Sequence, residues 1–294
     1  MSEVLLAERL TESEWRLRAD AHRERAERFV GPHRLRAARG EAHPVWDFLF
    51  SYYSLRPRQV LRWHPGYGVT LSGDQAHDFL GRTGYVAVPE GVTVGPDYLR
   101  GRLDTVRFVA DLLAATAARP AQLNCFGMHE WAMVYRSDEV RHSQVPLRLG
   151  QDGTDRVVET ASPLRCSHYD AFRFFTAEAV PRNATALTRE TQVDREQPGC
   201  VHANMDLYKW SYKLGPLVDS EIVLDCLDLA ARAREVDMRA SPYDLSEYGY
   251  PPIRVEEPSG RAEYVRCQSE LAQRAAPLRA ALQRRCDLLL GVAT

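Results

Sequence analysis

Lysine is almost absent from this chain of 294 residues. Of its 38 basic residues all but two are arginine, and the two lysines, Lys209 and Lys213, stand four apart in one segment. Arginine serves equally well as surface charge, whereas an amine that must lose its proton or form an imine has to be a lysine. The rarity of lysine therefore marks residues 202–213 as a candidate site.

Long apolar runs, paired cysteines and glycine-rich phosphate loops are also missing. No apolar stretch approaches the roughly 18 residues of a membrane span, and the first residues lack the layout of a signal peptide, so we expect a cytoplasmic protein without a membrane partner. The six cysteines include no Cys-x-x-Cys pair, which disfavours zinc, and we predict no metal ligands. The motifs of nucleotide-phosphate loops and of the hydrolase nucleophile elbow are absent.

A general excess of positive charge is lacking too, because the formal net charge is −2. Proteins that grip nucleic acid through its phosphates usually carry a clear basic excess. Locally, residues 16–39 hold eight arginines against three acids. This stretch could face phosphates, but mixed charges along a helix more often form a solvated face, and we favour that interpretation.

Helical periodicity covers most of the chain. It predicts helices over residues 12–30, 97–118, 123–136, 202–214, 219–239 and 258–290, the first of them ended by Gly31 and Pro32. Residues 66–96 read as loops with two short strands, and residues 137–167 as irregular. We expect a mainly α fold, a single domain over residues 1–294 with irregular loops and at most a few short strands. The arginine-rich helix 12–30 could lie at its periphery.

On a helix, residues 202–213 would separate into two faces. His202, Asp206, Lys209 and Lys213 follow the spacing i, i+4, i+7, i+11 and form a polar stripe, which should point away from Trp210. The stripe could be an ordinary surface face with an Asp206–Lys209 ion pair, or it could be one wall of a site. Two further polar side chains of the same segment are candidate substrate contacts, namely Asn204 and Tyr208.

Residues 123–136 form a second candidate segment. The surroundings of His129, Glu130 and Arg136 are apolar enough to predict a buried helix, in which each of these polar groups needs a partner. Buried paired charges are frequent at functional sites, although a lone buried histidine is more often a satisfied core residue. The neighbouring candidates for substrate contact are Asn124, Trp131 and Tyr135.

Residues 165–176 form the third candidate segment, with His168 on an aromatic face and Arg173 placed to pair with Asp170. A haem held by one histidine requires no sequence motif. We predict no cofactor, and keep haem on His129, His168 or His202 as an alternative. If the three histidine segments converge on one pocket, an enzyme is favoured over a non-catalytic binding protein.

Four long phrases together resemble one known family. They are residues 43–53 (HPVWDFLFSYY), 62–66 (RWHPG), 123–136 (LNCFGMHEWAMVYR) and 197–210 (QPGCVHANMDLYKW). The chain resembles, from about residue 12 to 290, the family of actinobacterial proteins of similar length that is labelled 3-methyladenine DNA glycosylase. The resemblance implies excision of alkylated purines, with DNA as partner and a purine base in a pocket. It brings no catalytic residues with it.

The chemistry of base excision suggests roles for the candidate residues. The base must be flipped into an aromatic pocket, and a carboxylate can stabilise the positive charge that develops on the sugar. A lysine could instead attack the sugar and form an imine. The catalytic candidates are Asp206, Lys209, His202, Glu130 and His129. The candidates for substrate binding are Asn204, Lys213, Tyr208, Trp131, Tyr135, Arg136, Asn124, His168 and Arg173.

Two rival functions remain open. The first is an oxygenase that uses a histidine-bound haem or metal to act on a small aromatic substrate. The second is a non-catalytic binding protein, in which the polar helix faces only pair with one another.

Overall fold

The computed structural model describes residues 8–137 and 144–293, and helices dominate it. The α-helices are α1 (Glu12–Ala38), α2 (Phe48–Ser51), α3 (Pro57–Val60), α4 (Pro96–Arg100), α5 (Leu103–Ala117), α6 (Met128–Ala132), α7 (Gly150–Thr160), α8 (Tyr169–Phe172), α9 (Gln192–Arg195), α10 (Val201–Lys213), α11 (Ser220–Arg239) and α12 (Pro258–Ala293). Short 3-10 helices cover Asp74–Gly81, Val180–Arg182 and Ser246–Tyr248. The strands are β1 (Glu8–Leu10), β2 (Val69–Leu71), β3 (Tyr85–Val88) and β4 (Gly91–Val94). The prediction of a mainly α fold with a few short strands is confirmed.

The chain groups into two compact units. The first unit contains the described residues up to Leu113, together with Leu207–Asp228 and those from Leu278 onward. The second unit contains Ala114–Asp206, apart from residues 138–143, and Leu229–Pro277. Each of the helices α10, α11 and α12 contributes residues to both units. That residues 1–294 form a single domain stays a prediction.

The first unit contains the small sheet, in the strand order β1-β2-β4-β3. β1 runs parallel to β2, and β4 is antiparallel to both β2 and β3. Leu71 and Val92 are paired across the sheet and fully buried, whereas Thr70 and Thr93, the next pair, are partly exposed, as expected of a sheet with one face on a core. The 66–96 region therefore holds one strand more than predicted.

The prediction that the first helix ends at Gly31 and Pro32 is wrong, because α1 continues to Ala38. A proline inside a helix removes one hydrogen bond and costs about 3 kcal/mol, so contacts on both sides of it must hold the helix together. Before the proline, Val30 is fully buried. After it, Arg36 and His33 both bond the half-buried carboxylate of Asp47.

Several arginines of α1 are engaged in ion pairs within the first unit. Arg25 donates to Asp225 at 2.8 Å and to Asp228 at 2.7 Å, and Arg18 lies 3.3 Å from Glu8. The buried side chains of the helix lie on another face, where they include Trp15 and Ala26. These arginines are therefore balanced by acids of the same unit, and the preference for a solvated face over a phosphate-facing one stays a prediction.

In the second unit, the prediction of a helix over residues 123–136 is wrong. Only Met128–Ala132 is helical, because Phe126 (φ 50°) and Gly127 (φ 66°) before it and Arg136 (φ 49°) after it have left-handed backbones. A right-handed helix cannot continue through such residues. The irregular region predicted over 137–167 is also interrupted, because α7 lies within it.

None of the helices within the described parts of the chain combines the length and the apolar character that crossing a bilayer requires.

Candidate metal centre

Three helices bring polar side chains into the interior of the second unit. α6 supplies His129 and Glu130, the first turns of α10 supply His202, and the C-terminal half of α11 supplies Arg234 and Asp237. All of these side chains are at most 7% exposed. Arg234 and Asp237 are buried because they follow Ala230 and Ala233 by four residues, on the apolar face of their helix.

His129, His202 and Asp237 form the centre of this cluster. His129 Nε2 lies 2.8 Å from Asp237 Oδ1, and His202 Nε2 lies 3.8 Å from Asp237 Oδ2. The two imidazole rings stand edge to face, with their centroids 4.3 Å apart. One ligand atom from each of the three residues can be chosen so that all lie within 4.8 Å of one another.

The close approach of His129 Nε2 to Asp237 Oδ1 lacks the alignment of a hydrogen bond. Both atoms are buried, and within residues 8–137 and 144–293 neither His129 Nε2 nor Asp237 Oδ1 has a hydrogen-bond partner. At 2.8 Å this means that a hydrogen on Nε2 would not point at the oxygen. Buried polar atoms without a partner are rare, and a pair of them that faces one point is typical of a site for an ion.

Arg234 holds the carboxylate of Asp237 in place. Its Nη1 donates to Asp237 Oδ2 and to Glu130 Oε1, each at 2.8 Å. Burial would raise the pKa of Asp237, but His129, His202 and Arg234 outweigh it and keep that pKa well below its usual value. Burial, assisted by His129, lowers the pKa of His202 far below its usual value. The ionised carboxylate and the neutral imidazole are the forms that bind metals.

His168 approaches the same centre from another side. Its Nδ1 accepts a hydrogen bond from the backbone N–H of Ala171, so Nε2 carries the proton and donates to Asp206 Oδ2 at 3.2 Å. Glu196 Oε1 is 3.6 Å from the same nitrogen. The ring centroids of His168 and His202 are 5.3 Å apart. The three histidine segments identified in the sequence therefore converge.

A small cavity lies among the three histidines. Its volume is about 20 Å³, and its other walls include Cys125, Cys166, Cys200, Phe175 and Tyr264. Burial raises the pKa of the Cys166 thiol to about 12. A cavity of this size holds about one water molecule, whereas pockets for larger organic ligands measure about 300–1,000 Å³. Neither a purine base nor the ring of a haem fits into it.

The other predicted site residues of the second unit lie outside this cavity. Trp131 is buried and donates to the carbonyl of Ala240 at 2.8 Å. Tyr135 and Arg136 both bond Glu159. The rest are Arg173, which pairs with Asp170; Asn204, which is buried and donates to the carbonyl of Pro198; and Asn124, which is exposed.

Tyr208, Lys209 and Lys213 belong to the first unit. Lys209 is buried, and the two Nζ atoms lie 4.5 and 5.2 Å from the centroid of the Trp210 ring. The prediction that the lysines point away from Trp210 is wrong. Their long, flexible side chains turn onto the ring, where the cations are attracted by its π electrons. Tyr208 is buried and packs edge to face on Tyr53.

Asp237 and Arg234 were not predicted from the sequence, nor were Glu196 and Tyr264. Two charged residues on the apolar face of α11, three apart, are a signal that could have identified the first pair. Zinc was disfavoured because no segment carries paired ligands, but the three ligand candidates here come from three separate helices.

Comparison of the chain with models of protein families, with curated proteins and with solved structures gave no match.

Proposed function

We propose that His129, His202 and Asp237 bind one divalent transition-metal ion and that the protein is a metal-dependent enzyme. The observation that carries this proposal is the 2.8 Å approach of His129 Nε2 to Asp237 Oδ1 without a hydrogen bond. Two ligand atoms whose lone pairs point to a common ion approach each other in this way.

The spacing of His129 and Asp237 suits two ligands of one metal ion. Imidazole nitrogens and carboxylate oxygens bind at about 2.0–2.2 Å, so two ligands at a right angle are about 3 Å apart, and opposed ligands about 4.2 Å. The 2.8 Å between His129 Nε2 and Asp237 Oδ1 is close to the separation of two ligands at a right angle. His202 Nε2 lies 3.8 Å from the other carboxylate oxygen, Oδ2, and one ligand atom of each of the three residues lies within 4.8 Å of the others. Arg234 would act as the outer partner that orients the carboxylate, as is common around bound metals.

The ligand types favour iron chemistry. Two histidines and one carboxylate with open positions are the ligand set of non-haem Fe(II) oxygenases. The cavity beside the ligands has room for a molecule the size of water or dioxygen, and Phe175 and Met128 make part of its wall apolar. We therefore favour an oxygenase of a small organic substrate. A Zn²⁺ hydrolase uses a similar ligand set and is the alternative outcome.

Metal binding tests the proposal directly. Purified protein, stripped with chelator and titrated anaerobically with Fe²⁺, Co²⁺ or Zn²⁺, should bind one ion per chain, and Co²⁺ should give visible absorption bands. His202→Gln and Asp237→Asn should weaken binding by at least about tenfold. His77→Gln, which removes an exposed histidine, is the control. Wild-type affinity in both ligand variants, with native circular dichroism, would overturn the proposal.

Excision of alkylated purines, which the family resemblance implies, is the second candidate. Asp206, the carboxylate we expect to act, is buried and bonded to His168, which supports a role in chemistry. A flipped base would have to bind outside the 20 Å³ cavity. The test is the release of methylated adenine from alkylated duplex DNA by the wild type and by Asp206→Asn. No release by the wild type rejects this candidate.

A further inference from the structure

A second, larger cavity in the same unit adjoins the proposed metal centre. It measures about 330 Å³, enough for a small organic molecule. Its apolar walls include Phe126, Leu149, Val157 and Val255. We call this second cavity the groove. Met128 lines both the groove and the small cavity of the metal centre.

The groove is charged at two points and apolar elsewhere. Arg156 of α7 and Arg261 of α12 line it, and neither forms an ion pair with any residue in the described parts of the chain. The acidic residue in the wall, Glu256, is already engaged, because Arg148 bonds both of its oxygens at 2.7 and 2.9 Å. The groove therefore has two guanidinium groups available for an anion.

Arginine binds carboxylates well because its planar group offers paired donors. Two arginines in one groove with a fully engaged acid select a ligand with negative charge. The apolar walls select a hydrocarbon body in the same ligand. A hydrophilic anion such as a free sugar phosphate would leave these walls without a partner.

Met128, which is 5% exposed, is the residue that lines both cavities. Two residues with left-handed backbones, Phe126 and Gly127, precede it. A Cβ on Gly127 would approach the Cβ of Ala240 to 3.3 Å and Tyr264 to 3.4 Å, so glycine lets this turn pack closely. Methionine is flexible enough to change rotamer and open a passage between the cavities.

We propose that the groove binds a small aromatic or aliphatic carboxylate as the substrate, with its carboxylate on Arg156 and Arg261 and its apolar end at Met128, beside the metal. This inference rests on the proposed function for its metal, but the groove and its arginines are separate from the metal ligands. The metal proposal can therefore be wrong while the anion-binding groove is right, and the reverse.

The test uses phenylacetate as a probe and phenylacetamide as its uncharged counterpart. Calorimetry should show phenylacetate binding to the wild type, and at least about tenfold weaker binding of the amide. The double variant Arg156→Gln/Arg261→Gln should lose at least about tenfold in affinity. Arg165→Gln/Arg266→Gln, which removes two exposed arginines of the same unit, should bind within about twofold of the wild type.

Two readouts separate this inference from the proposed function. Phenylacetate should shift the absorption bands of the Co²⁺-loaded wild type, but not those of the double groove variant, which should still bind one Co²⁺ per chain. If the protein binds Co²⁺ but phenylacetate binds no better than the amide, or binds without shifting the bands, the substrate assignment is wrong while the metal proposal stands. If no metal binds but phenylacetate requires both arginines, the proposed function fails and the anion site remains.

Discussion

Arg234 and Asp237 lie one turn apart on α11, and the guanidinium bonds Oδ2 of the carboxylate at 2.8 Å while Oδ1 faces His129. The same nitrogen of Arg234 bonds Glu130. One buried guanidinium group therefore bonds two buried carboxyl groups, and the second oxygen of Asp237 is left facing His129.

Removing this cation should destabilise the protein strongly. Arg234→Met leaves the carboxyl groups of Glu130 and Asp237 buried without their shared guanidinium partner, and breaking a buried pair costs about 3–5 kcal/mol. We expect a loss of this size in the free energy of unfolding, measured with urea on metal-free protein. Arg239→Met breaks the more exposed pair with Glu263 and should cost at most about 1 kcal/mol. Equal losses in the two variants would show that the Arg234 cluster is not a special contributor.

Shortening Met128 should open the passage to the metal. In Met128→Ala, a chelator should remove Co²⁺ faster than from the wild type, because most of the side chain that lines both cavities is gone. The control is Met133→Ala, a methionine of similar burial that lines neither cavity. Both substitutions should cost about 2–5 kcal/mol of stability, so the comparison corrects for general loosening. Equal rates of removal in the two variants would contradict a gating role for Met128.

Gly91 should tolerate no side chain. Its φ is 144°, and a Cβ there would lie 2.0 Å from the carbonyl oxygen of Leu71 on the neighbouring strand. We expect Gly91→Ala to lower the free energy of unfolding by more than about 1–3 kcal/mol, since it combines backbone strain with a clash. Gly81→Ala is the control, because its Cβ would meet nothing within 4 Å. A Gly91→Ala protein as stable as the control would show that the sheet can shift to accept a side chain.

The sequence predicted the elements that depend on local pattern. The periodicity of residues 219–239 and 258–290 corresponds closely to α11 and α12, because a helix buries one stripe of its own side chains. It failed at residues 123–136, where the left-handed residues Phe126 and Arg136 confine α6 to a short segment. Such backbones are held by tertiary contacts, which no local pattern records.

The residues of the candidate site were also only partly predictable from the sequence. His129, His168 and His202 could be selected from the sequence because they stand in unusual local surroundings. The sequence could mark Asp237 as a charge on an apolar helix face, but not its pairing with His129, since that pairing spans more than a hundred residues and depends on how three helices pack. The scarcity of lysine drew attention to α10, but the histidine near the beginning of this helix, rather than its lysines, lies at the centre of the cluster in the second unit.

His64 should make the protein sensitive to mild acid. Burial, with the nearby charge of Arg82, lowers its pKa from 6.5 to about 3, and its Nδ1 lies 2.9 Å from the hydroxyl of Tyr85. Below pH 6.5 the unfolded chain takes up a proton that the native protein refuses until about pH 3. The free energy of unfolding should therefore fall with decreasing pH over this window, by at most about 1.4 kcal/mol per pH unit from this residue.

The contribution of His64 can be isolated by substitution. His64→Gln keeps a polar group near Tyr85 but cannot titrate, so its unfolding free energy should depend less steeply on pH between 6.5 and 4 than that of the wild type. Tyr85→Phe removes the hydroxyl partner and leaves the buried imidazole, so it should retain most of the wild-type slope. Urea titrations at several pH values give these slopes. If His64→Gln and the wild type lose stability in parallel, another group causes the acid sensitivity, and the native protein accommodates a charged His64.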